Sequence, residues 1–181
     1  MRLMKMSLLL LAVCSKAIKV TVFGGSGFVG SRVCKALVSK GAEVTSVSRS
    51  GRCPEWASDE AWTKHVTWAE VDLLDADVES SLAAQWSVTG SPAAVVSCVG
   101  VVGLDPGVLR RGNGAANANG FTAAKLVGVG RSVYVSVASE LAACEENWLP
   151  FAKDEFSAYF EGKRMAEQAT ADAVGGDATK V

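Results

Sequence analysis

The chain has a single histidine, His65, and no C-x-x-C spacing among its five cysteines. A Ser-His-Asp triad or a multi-histidine metal centre would have to be assembled around that one imidazole. The odd cysteine count argues against a disulfide framework or a zinc site. His65 is therefore expected as an ordinary structural or surface residue, and Cys14, Cys34, Cys53, Cys98 and Cys144 as mostly small buried hydrophobes. The chain also lacks an excess of either charge: the net charge of −1 gives no broad attraction for nucleic acid or anionic lipid. Any phosphate binding must be local. The apolar run near the N-terminus falls short of the roughly 20 residues that span a bilayer, and no internal repeat or low-complexity tract interrupts the chain.

What remains is a sequence of 181 residues with nearly half apolar composition, enough for one real core. Arg2 and Lys5 precede the apolar stretch 8–13, and Ser15 and Ala17 follow at a spacing a signal peptidase accepts. The same stretch has no acid, so a mitochondrial or plastid presequence stays open beside the secretory reading. Residues 1–17 are expected to be a targeting segment and residues 18–181 the folded domain.

From Ile18 the run Ile18-Lys19-Val20-Thr21-Val22-Phe23 is β-branched and stops at a glycine cluster, which predicts a buried strand. Val29, Val33, Ala36 and Leu37 then recur at helical spacing, and Gly41 stands where a left-handed C-terminal cap is wanted. With a second strand over 43–48 this is a βαβ unit. Further strands are expected over 66–71, 93–98 and 132–137, and helices over 78–86, 115–127 and 156–173. The alternation implies an α/β fold, a doubly wound parallel sheet of the Rossmann kind with strand order 3-2-1-4-5. Gly175-Gly176-Asp177 reads as the turn after the last helix, and 178–181 as the entry to a sixth strand. The sheet is expected to be truncated before that strand and before any substrate lobe.

Gly24, Gly27 and Gly30 form G-x-x-G-x-x-G between a predicted strand and a predicted helix. There the backbone must turn sharply, approach a pyrophosphate without a Cβ in the way, and aim unpaired helix N–H groups at it. The whole segment, including Ser26, Phe28 and Val29, is a candidate phosphate cradle. An acid at the end of the second strand would bind the ribose 2′-hydroxyl of NAD. The chain instead has Ser48-Arg49-Ser50-Gly51-Arg52, and Arg49 beside Ser48 suits a 2′-phosphate. NADP(H) is the expected cofactor, with NAD(H) left open; the alternative is that these arginines are solvated loop charges. Asp72 and Leu73 after the third strand, and Cys98, Val99 and Gly100 after the fourth, lie at carboxyl ends of strands and are further cofactor candidates. For Asp72 a loop-capping role competes.

Tyr159 and Lys163 stand i, i+4 on the last predicted helix, which puts them on one face. An ammonium near a phenol lowers its pKa and makes it a proton donor or acceptor for hydride transfer at a carbonyl carbon. Ser139, with Ser136 as alternate, is the hydroxyl expected to polarise the substrate oxygen. The competing view has Tyr159 packing on the sheet and Lys163 touching only a cofactor ribose. Trp56, Trp62, Trp68, Trp86 and Trp148 are read as packing residues.

The stretches VFGGSGFVGSRV, SVSRSGR, VVSCVGVVG, NGAANANGFTAAKLVGVGRSVYVSV and YFEGKRMAE together resemble the atypical short-chain dehydrogenase/reductases. The likeness is to the branch of coenzyme Q biosynthesis accessory proteins and chloroplast homologues, and more distantly to the NADPH-holding accessory subunit of respiratory complex I. It implies NAD(P) binding at Gly24, Gly27, Gly30 and Arg49, with Tyr159 and Lys163 as the catalytic-type pair. The expected function is an NAD(P)-binding oxidoreductase-type domain acting on a small-molecule substrate of carbonyl, quinone or isoprenoid type, or else a non-catalytic, cofactor-stabilised place in a protein assembly, with the N-terminal segment directing it to an organelle or the secretory pathway.

Overall fold

The computed structural model describes residues 17–138, 153–173 and 178–180. The strands are β1 (Lys19–Phe23), β2 (Glu43–Ser48), β3 (Val66–Glu70), β4 (Ala94–Ser97), β5 (Arg131–Tyr134) and β6 (Ala178–Lys180). The helices are α1 (Phe28–Ser39), α2 (Val78–Thr89), α3 (Pro106–Arg110), α4 (Ala116–Leu126) and α5 (Lys153–Ala173). A π-helical turn, Arg111–Ala115, joins α3 to α4.

All strand pairs are parallel, in the order β3-β2-β1-β4-β5-β6. The expected 3-2-1-4-5 order is present. The expectation of a sheet truncated before its sixth strand is corrected, because Ser132, Val133 and Tyr134 pair with Ala178, Thr179 and Lys180. Three residues are enough to occupy edge N–H and C=O groups that β5 would otherwise leave unpaired.

Alternation along the strands splits the core in two. Val20, Val22, Val44 and Val66 face α1 and pack with Cys34, Ala57 and Trp62. Phe23, Val47, Ala69, Val95 and Tyr134 face the other way, against Leu82 and Trp86 of α2, Phe121 of α4 and Ala166 of α5. Phe121 stands edge-on to both Phe23 and Tyr134, at ring-centroid distances of 6.3 and 6.4 Å. The buried Trp86 Nε1 donates to Thr21 Oγ1 at 3.0 Å, so the one polar edge of this ring is satisfied inside the core.

Several boundaries differ from the expected ones. The helical stretch expected from 115 starts at Pro106, with Asp105 accepting from Val108 N at 2.8 Å as N-cap and Pro106 in the first turn. The last helix starts at Lys153 rather than 156, and β5 stops at Tyr134 rather than 137. The β2–β3 crossover holds two 3-10 turns, Glu55–Ala57 and Ala61–His65, tied down by Glu60, which accepts from Lys35 Nζ at 2.5 Å and Trp62 Nε1 at 2.8 Å. His65 is exposed at the end of the second turn. Of the tryptophans, Trp62 and Trp86 are buried and Trp68 is half-buried, but Trp56 is 54% exposed and is not a core residue. Cys34 is buried, Cys53 and Cys98 are half-buried, and all three are free thiols. Cys14, Cys144, Trp148 and residues 1–16 of the expected targeting segment fall outside the described residues. Among the described residues no helix is long and apolar enough to cross a membrane.

Trp86→Phe is expected to cost about 1–3 kcal/mol, because it removes the hydrogen bond to Thr21 and leaves space beside a buried hydroxyl. Urea unfolding of the two proteins measures it, and an unchanged midpoint would show that the hydrogen bond contributes nothing net.

Candidate functional site

The sheet order reverses between β1 and β4, and the glycine loop lies at the carboxyl end of β1 beside that switch. Gly24 N donates to Val47 O at 2.8 Å, which fastens the loop to the end of β2. Gly24 has φ +73°, a conformation that a side chain disfavours. A Cβ on Gly30 would run into the Gly24 carbonyl oxygen, so α1 meets the loop backbone to backbone. At Gly27 a Cβ would meet only Gly24 O, at 3.2 Å, and otherwise open space.

The N-terminus of α1 has no side-chain cap and no acid in its first turn. The N–H groups of Phe28, Val29 and Gly30 have no intrahelical acceptor, and the positive end of the helix dipole emerges here. Phe28 and Val29 are exposed, and Ser26 is half-buried. This is the donor set a pyrophosphate needs.

At the end of β2 the Ser48 hydroxyl oxygen is buried without a hydrogen-bond partner. Arg49 is exposed beside it. The turn that carries Arg49 is fixed: Gly51 N donates to Ser48 O at 3.2 Å, Gly51 has φ +56°, and a Cβ there would stand 2.8 Å from Glu70 N. After β3, Asp72 accepts from Leu74 N at 3.0 Å, the loop-capping role. Leu73 is buried in the core, so its side chain packs inward.

Beyond β4 the chain is held by two asparagines not singled out in the sequence. Ser97 Oγ donates to Asn117 Oδ1, and Asn117 Nδ2 donates to Asn113 O at 2.9 Å and Val99 O at 3.3 Å. Asn113 accepts from Val101 N at 3.1 Å and donates to Val101 O at 2.9 Å and Leu109 O at 3.0 Å. Both are fully buried. Their i, i+4 spacing in a small-residue helix was the available signal. Cys98 is half-buried here, with burial pushing its thiol up to about 11, far from a reactive thiolate. Val99 packs against the core and under Gly24, and Gly100 is exposed.

Lys163, on α5, reaches this edge from the other side. It is 6% exposed, and its Nζ lies 3.5 Å from where a Cβ on Gly100 would stand. It sits over the rings of Tyr134 at 5.0 Å and Tyr159 at 5.5 Å. Burial holds the lysine below its ordinary pKa, with Glu167 one turn on opposing the shift. Burial also pushes the Tyr159 phenol up, which opposes the depression expected from Lys163. Among the described residues no hydrogen bond joins the Tyr159 hydroxyl to Lys163. The Ser136 hydroxyl is bonded to Glu167 Oε1 and so is engaged rather than free to meet a substrate. Ser139 lies outside the described residues. Glu167 continues the i, i+4 stripe from Tyr159 through Lys163, a regularity that the sequence offered.

A cavity of about 410 Å³, lined by Thr21, Thr45, Thr67 and His65, lies at the opposite, amino ends of β1 to β3 and takes no part in this arrangement. Among the described residues no three His, Cys, Asp or Glu side chains are grouped to hold a metal.

Residues 20–178 match the model of the NAD dependent epimerase/dehydratase family. An uncharacterised chloroplastic protein of Arabidopsis thaliana is 39% identical over 152 residues, 84% of this chain and 45% of that protein. MIOREX complex component 2 of Saccharomyces cerevisiae is 43% identical over 61 residues, 33% of this chain and 22% of that protein. The crystal structure of the Bordetella bronchiseptica enzyme WbmH in complex with NAD+ superposes with a TM-score of 0.60 at 21% identity, covering 84% of this chain and 53% of that one. The chain thus spans about half the length of the proteins it resembles, or less.

Two of the loop glycines, Gly27 and Gly30, should separate folding from binding. Gly27→Val is expected to leave the fold intact and fill the phosphate space, whereas Gly30→Ala should destabilise by about 1–3 kcal/mol through backbone overlap. Circular dichroism melts with a nucleotide titration test both, and unchanged nucleotide affinity in Gly27→Val would remove the loop as the phosphate site.

Proposed function

Because the chain belongs to the NAD dependent epimerase/dehydratase family, with a short-chain dehydrogenase/reductase-type NAD(P)-binding fold, we propose that it is an NADP(H)-preferring oxidoreductase-type domain. The observation that carries this reading is the uncapped, acid-free N-terminus of α1 behind an open Gly27, on the sheet edge that the buried Lys163 also reaches. A nicotinamide dinucleotide fits the residues present: the first-turn N–H groups of α1 take the pyrophosphate, and Ser48 Oγ and Arg49 take the phosphorylated ribose. The cofactor supplies hydride chemistry when bound.

The remaining work falls to this chain's side chains. Lys163, buried against two rings, orients the nicotinamide-side ribose and favours the ionised form of Tyr159 when the two approach. Tyr159, half-buried, gives or takes a proton at its Oη as the substrate oxygen changes between carbonyl and carbinol. A carbonyl compound of quinone or isoprenoid type is the substrate class we favour, and the chloroplastic name of the Arabidopsis relative supports an organellar placement.

A second reading, a non-catalytic accessory protein stabilised by its cofactor, is favoured by one feature. Lys163 lies over ring faces rather than at a hydroxyl. Bound NADPH would then contribute folding free energy through linkage alone.

Two measurements decide. Calorimetry should show NADPH preferred to NADH, with Arg49→Ala shrinking the preference by about 1–3 kcal/mol; equal wild-type affinities would end the NADPH assignment. In NADPH oxidation with quinones and enones, Tyr159→Phe should lower turnover about 10²–10⁴-fold at unchanged NADPH affinity, while Lys163→Ala harms both. Undiminished turnover in Tyr159→Phe would remove that phenol from the chemistry, and no turnover in the wild type would move the weight to the accessory reading.

A further inference from the structure

One cation beside the glycine loop is left unassigned by this reading. Arg32, on α1, lies with its guanidinium carbon 3.9 Å from the centre of the Phe28 ring and 5.2 Å from that of Trp56. Its Nη1 donates to Phe28 O at 2.6 Å, which fixes one corner of the guanidinium. Among the described residues it has no ion pair, although Lys35, one turn on, is paired with Glu60 at 2.5 Å. Phe28 is 74% and Trp56 54% exposed.

A stack this exposed contributes little to stability, so its place in the fold carries more information than its energy. Phe28, Arg32 and Lys35 share one face of α1, and the contacts of Arg32 and Lys35 turn that face toward the β2–β3 crossover. The same crossover begins with Arg49 and Arg52, and its origin is bonded to the glycine loop through Gly24 N and Val47 O. The stack therefore links the first turn of α1, at the phosphate cradle, to the crossover that carries the arginine turn. A planar cation held by its faces keeps its edge donors for an anion, and an exposed indole offers a base a surface to stack on.

We propose that Arg32, held between Phe28 and Trp56, is a second cation for the 2′-phosphoadenosine end of the cofactor, with Trp56 as the aromatic wall of that subsite. The inference rests on the NADPH reading and extends it to residues outside the glycine loop and the arginine turn.

Calorimetry on the full chain with 2′,5′-ADP and with 5′-ADP tests it without any turnover. The wild type should prefer 2′,5′-ADP. Arg32→Gln should weaken 2′,5′-ADP about tenfold or more and 5′-ADP by no more than about threefold. Trp56→Leu should weaken both nucleotides, and Trp56→Phe, which keeps a ring, should restore most of the loss. If Arg32→Gln binds 2′,5′-ADP as the wild type does while Arg49→Ala loses the preference, the NADPH reading stands and this inference fails. No preference in the wild type overturns both. Equal loss of the two nucleotides in Arg32→Gln would give Arg32 a structural role and overturn the assignment. Should that variant not fold, Arg32→Met, which keeps the apolar stem against the rings and removes the charge, takes its place, and full discrimination in it would be equally damaging.

Discussion

The arrangement depends on how the chain is held once it leaves β4. Residues 99–101 have left the sheet ladder, and the half-buried backbone groups of Val99 and Val101 need partners from elsewhere. Asn113 and Asn117 supply the missing partners from the π turn and α4, with Ser97 anchoring Asn117 to the strand. The same asparagines link α4 to the start of the β4 exit and, through Asn113 O, to the hydroxyl of Tyr134 on β5. A network of this kind has value only when complete, because each unpaired member would carry its own desolvation cost. Its completeness lets Gly100 lie flat against Asn113 and leaves room for the Lys163 ammonium.

The π-helical turn at Arg111–Ala115 belongs to the same constraint. It holds Asn113 at the point where both amide ends find backbone partners, and it is built from small residues. Gly112 and Gly114 sit where a Cβ would strike Val101 and Met165 respectively, and Gly162 of α5 comes close enough that its own Cβ would crowd Asn113. The π turn and α5 approach through glycine, which brings Lys163 over the edge of the sheet.

The sequence was most legible where one periodicity dominated. β1, the glycine loop and α1 follow directly from a β-branched run, a glycine cluster and a helical stripe, and the parallel order follows from alternation. Boundaries were harder wherever local capping decided them: Asp105-Pro106 starts a helix nine residues before the expected one. The asparagine network was hidden because it is non-local, joining positions from β4, the π turn and α4 that only the fold brings together. The setting of Trp56 was hidden for a related reason, since composition alone cannot tell an exposed ring stacked on arginine from a core ring. The Tyr159 and Lys163 spacing was visible, but the position of the ammonium over the rings depends on burial, which spacing does not encode.

The turn bearing Arg49 and Arg52 has a thermodynamic character of its own. Gly51 is pressed backbone to backbone on Glu70, and its N–H is bonded to Ser48 O, so the loop cannot swing as a unit. An anion drawn to these arginines would freeze side-chain rotamers only, about 0.5–1.5 kcal/mol for each, and no stretch of main chain. The positive rim of this edge is thus already in place before anything binds, as a fixed feature of the fold rather than a response to its ligand.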